Sequence, residues 1–82
     1  MAHGRPSYRF DGDGLRTRRE TGGMSLRALA KRCEQHGYRV GDSQLSKIER
    51  GLCTPRPGLL RVLARIFNVP TEALLLSATS AA

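Results

Sequence analysis

Apolar residues recur along this chain at helical spacing, in blocks so short that only a compact bundle could bury them. The first block, about residues 12–21, predicts the weakest helix, because Gly12 and Gly14 sit near its start and Leu15 alone is plainly apolar. Asp11 or Asp13 can cap it, and Gly22 with Gly23 stops it. The second block is clearer. Ser25 is placed as N-cap, and Leu26, Leu29, Ala30 and Cys33 follow at i, i+3, i+4 and i+7, with Arg27, Lys31, Arg32 and Glu34 outside. Gly37 ends it. A third helix is predicted to begin at Asp42 or Ser43, with Leu45, Ile48 and Leu52 turned inward and Gly51 closing it at C′. Its other face presents Ser43, Gln44, Ser46, Lys47 and Arg50.

Pro55 and Pro57 restart the chain into a fourth helix, where Leu59, Leu60, Leu63, Ala64, Ile66 and Phe67 form a broad apolar stripe and Asn68 is placed as a left-handed cap. A short fifth helix is predicted over 71–76. It carries consecutive leucines at 74, 75 and 76, more than one helix face buries in its own domain, so one or more are expected to meet a partner. The expected fold is therefore all-α, a compact five-helix bundle over residues 10–77. A basic arm, 1–9, with Arg5, Pro6 and Arg9, and a small-residue tail, 78–82, are expected to be mobile.

Composition narrows this further. Eighty-two residues make one domain, and with 39% hydrophobic but only 5% aromatic residues and no Trp the core must be aliphatic, as in packed helices rather than a β-sandwich. Fourteen Lys and Arg against seven Asp and Glu leave a net charge of +7, so a polyanion is the natural partner; a basic surface kept for solubility is the plainer alternative. Twelve of those cations are Arg, the side chain suited to bidentate phosphate or guanine contacts. No stretch approaches the roughly 20 apolar residues of a membrane span, and the N-terminus has no signal-peptide core, so a cytoplasmic, nucleoid-associated protein is expected.

Chemistry other than binding finds little support. Cys33 and Cys53 show no paired spacing and read as free thiols; with His36 they would still lack a fourth ligand for structural zinc. His3 sits in the arm, His36 near a helix end, and no Ser, Cys or Asp has a triad-like context. Neither enzymatic activity, a cofactor nor a metal is expected.

The second and third helices are separated by a short connection bounded by Gly37 and Gly41, the supersecondary unit that lays a helix in the major groove of DNA. The third helix would then be the reader. Its outward residues are short and polar at the N-terminal end and include an amide and an ammonium, which can approach base edges closely.

Three runs, SLRALAKRC at 25–33, VGDSQLSKIERG at 40–51 and TPRPGLLRVLARIFNVPTEALL at 54–75, resemble the Cro and phage-repressor (XRE) type of helix-turn-helix domain. The resemblance covers nearly everything from Leu15 to Leu76. Its most specific pieces are Leu29 with Ala30, the Ser-x-Ile-Glu-x-Gly ending from Ser46 to Gly51, and the Asn-Val-Pro approach to the fifth helix. It implies a sequence-specific double-stranded DNA-binding regulator, a repressor acting as a homodimer. Asp42, Ser43, Gln44 and Lys47 match positions that face base edges or nearby phosphates, and Ser46, Arg50, Arg27 and Arg56 join them as DNA-binding candidates. Asp42 either caps the helix or accepts from a cytosine amino group. Arg19 and Glu49 match an internal ion pair between the first and third helices, Glu49 being exposed in the alternative reading.

The chain also departs from that pattern. The stretch between Ala30 and Val40 is longer by about five residues, bringing Tyr38 and Arg39 near the DNA or folding Tyr38 over the helices. Leu26 stands where a phosphate-binding Gln is usual, and Ala28 where a capping-box Glu is usual. A different functional class, a protein-docking module, co-factor or antitoxin using its leucine-rich C-terminus, would not need an Arg-rich reading face. RNA binding lacks a stacking aromatic platform.

Overall fold

A computed structural model describes residues 8–76. It contains four α-helices, α1 (Gly12–Thr21), α2 (Leu26–Gln35), α3 (Asp42–Glu49) and α4 (Pro57–Phe67), followed by a single 3₁₀ turn, Thr71–Leu74. The fold is all-helical, but the fifth element is not the α-helix that the leucine run predicts. Leu75 is extended and forms an isolated antiparallel bridge with Phe10. Around it the Asp11 N–H donates to the Leu74 carbonyl and the Leu76 N–H to the Arg9 carbonyl, each at 2.9 Å. A helix running on through Leu76 would forfeit both bonds. It would also turn the leucines around an axis, whereas the extended exit buries Leu74 fully, leaves Leu75 half-buried and sends Leu76 into solvent. Most of the basic arm (1–7) and all of the tail (78–82) lie outside the described residues.

Local chemistry sets the helix starts. The Asp11 carboxylate accepts from the Gly14 N–H at 3.0 Å, and the Ser25 hydroxyl oxygen accepts from the Ala28 N–H at the same distance. At α4, Arg56 is the N-cap and Pro57 follows at N1, where the missing N–H costs nothing. Helix α3 begins at Asp42 as expected, but its N-cap is the extended Gly41, with no side-chain cap, so Asp42 does not take the capping role. The Asp42 carboxylate thus lies in the first turn, where the helix dipole favours it without a capping bond.

Helices α2 and α3 end alike, each on a glycine with positive φ, Gly37 at 85° and Gly51 at 81°. Tyr38 N–H reaches back to the Cys33 carbonyl and Leu52 N–H to the Lys47 carbonyl, both at 2.9 Å, satisfying carbonyls that a helix end leaves open. This reversal corrects the expectation for Leu52. It continues the apolar spacing of α3 on paper, but it lies beyond the left-handed residue, and 64% of its surface is exposed.

The core is built from Leu15, Leu29, Cys33, Leu45, Ile48 and Leu63, each at most 1% exposed, with Leu59, Leu60, Ala64 and Leu74 around them. Helix α3 packs against α1 and α2, while α4 closes over α2 and the 3₁₀ turn. Helix α1 reaches α3 closely because residue 12 has no side chain: a Cβ there would lie 2.6 Å from the Ile48 carbonyl oxygen and 2.5 Å from that of Glu49. The first turn of α1 thus accepts a poor helix former for the sake of contact.

Candidate nucleic-acid interface

Helix α3 is held from behind by Leu45, Ile48 and Glu49, all buried, and this fixes which residues remain for a ligand. Ser43, Gln44, Lys47 and Arg50 are exposed on the opposite side, and Ser46 is half-buried. Because 43, 47 and 50 recur at helical spacing with 44 beside them, these side chains form one solvent-facing strip. Asp42 is exposed at the N-terminal end of that strip, next to Ser43.

Among the described residues Glu49 is the one buried charged residue, and it is neutralised. The Arg19 Nε donates to Glu49 Oε2 at 2.6 Å and Nη2 to Oε1 at 3.0 Å, while Nη1 donates to the Met24 carbonyl at 2.8 Å. The hydrogen bonding to Glu49 holds the guanidinium further into its charged form, against the opposing effect of burial. This pair fastens α1 to the last turn of α3 and so sets the orientation of the strip.

Beside α3 lies a cleft of about 750 Å³, with Gln44 contributing from the helix, Tyr38 and Arg39 from the α2–α3 connection, and Leu52, Thr54 and Arg56 from the α3–α4 loop. Arg56 and Gln44 are therefore brought to one site. Arg27 lies exposed in the first turn of α2, outside that cleft. Tyr38 packs on α4: a Cβ at Gly58 would meet its ring at 3.1 Å. Arg39 is exposed beside it.

One structural contributor was not legible in the arm sequence. The Tyr8 hydroxyl donates to the Pro55 carbonyl at 2.5 Å, tying the segment before α1 to the α3–α4 loop. Burial pushes this phenol up from its ordinary value, with the nearby Arg56 charge opposing the shift. The only sequence signal was an aromatic residue inside an otherwise polar arm.

The order of the elements, the glycine-closed turn before α3 and the open polar face of α3 agree with what comparison finds: a helix-turn-helix domain family matches residues 12–76, from the start of α1 to the end of the described residues. The chain belongs to that helix-turn-helix family, of the Cro/XRE-like kind. No curated protein and no solved structure matches it. The second helix of the helix-turn-helix unit is α3 here. Among the described residues of this helix-turn-helix domain, no helix is long and apolar enough to cross a membrane, and no group of three His, Cys, Asp or Glu side chains is placed to hold a metal ion.

Proposed function

We propose that the protein is a sequence-specific regulator of transcription that binds double-stranded DNA with α3 in the major groove, most simply as a repressor that occludes its site. The observation that carries this reading is the two-sidedness of α3: Leu45, Ile48 and Glu49 anchor it, and Ser43, Gln44 and Lys47 stand free on the other side. Gln44 and Lys47 are the base-reading candidates, Ser43 and Ser46 shorter contacts beside them, and Arg50, Arg56 and Arg27 contacts to the backbone. Asp42 accepts from a cytosine amino group where the site presents one. A single module of this size reads few base pairs, so two copies on a two-fold site are proposed, with the exposed Leu76 at the chain's C-terminal exit as part of their contact.

Selection of binding sites from random duplex DNA by the purified protein tests the reading. The expected result is a two-fold consensus bound far more tightly than scrambled DNA, with affinity falling steeply as salt rises. A folded protein that enriches no sequence and binds DNA without salt dependence would instead favour the protein-docking module, with Leu75 and Leu76 as its contact surface.

A further inference from the structure

Two arginines line the cleft beside α3, Arg39 from the α2–α3 connection and Arg56 from the α3–α4 loop. No carboxylate among the described residues lines it. Among the described residues neither arginine takes part in an ion pair; the ion pairs present involve Arg16 and Arg19. Two like charges lining one cleft repel each other, and an anion held by both removes that repulsion. Both positions are fixed by the fold. Tyr38, next to Arg39, is held by its N–H bond to the Cys33 carbonyl and by its ring against Gly58, and buried Pro55, next to Arg56, accepts the Tyr8 hydroxyl.

We infer that this cleft is a phosphodiester-binding site in which Arg39 and Arg56 together hold one backbone phosphate of the bound duplex. Gln44 belongs both to the cleft and to the exposed strip of α3, so a duplex lying on α3 passes over the cleft mouth. Guanidinium groups suit this role because their planar donors match phosphate oxygens. Leu52, exposed at the rim, offers an apolar surface to the adjoining deoxyribose. The inference rests on the major-groove reading proposed above and adds Arg39 as a residue that positions the protein without reading sequence.

The test combines Arg39→Ala and Arg56→Ala with duplexes in which each phosphate near the selected site is replaced singly by a neutral methylphosphonate. Arg39→Ala is expected to keep the wild-type melting temperature, to weaken selected and scrambled DNA alike by about tenfold, and to lower the salt slope by about one unit. One methylphosphonate position should weaken the wild type more than it weakens either variant, because each variant keeps only one arginine on that phosphate. The inference is overturned if Arg39→Ala binds both DNAs like the wild type while Gln44→Ala loses the selected site, and the major-groove reading then survives. It is overturned equally if the variants are as sensitive as the wild type at every methylphosphonate position. Inorganic phosphate shifting the Arg39 and Arg56 resonances, with DNA affinity indifferent to both substitutions, would assign the cleft to a free anion instead. A wild type with no affinity for DNA at low salt would overturn this inference and the reading beneath it together.

Discussion

Arg19 and Glu49 join the end of α1 to the end of α3 through every nitrogen of the guanidinium, two on the carboxylate and one on the Met24 carbonyl. The carboxylate side chain is 5% exposed and the guanidinium 11%, so neither can recover its hydration if the other is removed. Arg19→Ala is expected to cost about 3–5 kcal/mol of folding stability, because it strands a buried negative charge. Glu49→Gln should cost less, since a neutral amide keeps the shape and one acceptor. Urea unfolding of the two single variants and the double variant measures the coupling; additive effects would mean that the contact contributes nothing of its own.

Close approach of α1 to α3 makes a second expectation. A methyl group at residue 12 would meet the backbone carbonyls of Ile48 and Glu49, which cannot swing away as a flexible side chain could. Gly12→Ala should therefore destabilise by about 1–3 kcal/mol, although alanine is the better helix former. Gly41 is the control: nothing lies within 4 Å of its would-be Cβ, and its backbone at φ −89° suits any residue. Gly41→Ala should change stability by no more than about 0.5 kcal/mol. A Gly12→Ala protein as stable as the wild type would show that the two helices can separate at little cost.

Features whose cause is local were legible in the sequence. Ser25 caps α2 because its own oxygen reaches Ala28 N–H, and Gly37, Gly51 and Asn68 close helices because each adopts positive φ within a few residues of the carbonyls it frees. The exposed strip of α3 follows from the 3.6-residue period alone. Features whose cause is tertiary were not legible. Nothing near Leu75 announces that it will bridge to Phe10, so the fifth helix was overextended, and the same pairing ties down Arg9. Leu52 keeps an apolar spacing that the chain reversal makes irrelevant, and Asp42 looks like a cap until Gly41 takes that position. Arg39 gains meaning only when the folded connection brings it to the cleft that Arg56 also lines.

Cysteine chemistry gives a pH-dependent expectation. Cys33 is fully buried, and that burial pushes its thiol up to about 11 from the ordinary 9.0. Between those two values the unfolded chain has lost the thiol proton while the folded chain keeps it. The native state then binds more protons, so stability falls as pH rises through this window and is unaffected by the thiol below it. At about 1.4 kcal/mol per unit, the loss is of the order of 2–3 kcal/mol. Tyr8, also raised, pulls in the same direction, so the comparison is between wild type and Cys33→Ala in urea unfolding at a series of alkaline pH values. Equal slopes in the two proteins would remove Cys33 as the cause. At pH 8 a thiol reagent should label half-buried Cys53 in the native state and Cys33 only on unfolding.

The functional expectation separates side chains that read bases from one that holds the backbone. Gln44 and Lys47 lie one turn apart on the exposed side of α3, so both can follow the same stretch of major groove, whereas Arg56 stands beyond the helix at the start of α4. A base contact is lost only on the sequence that supplies the matching edge; a phosphate contact is lost on every sequence. Gln44→Ala and Lys47→Ala should therefore cost about 1–3 kcal/mol on the selected site and leave scrambled DNA almost unchanged, lowering the ratio of the two affinities. Arg56→Ala should weaken both DNAs in parallel, keep that ratio, and reduce the salt slope by about one unit. Lys47 carries a charge as well as a donor, so its slope distinguishes its two possible contacts: unchanged for a base edge, reduced for a phosphate. Affinities for the selected and scrambled duplexes at several salt concentrations, for each variant, decide among these. If every α3 substitution leaves the ratio untouched, α3 is not the reader, and its open polar face must serve a protein surface instead.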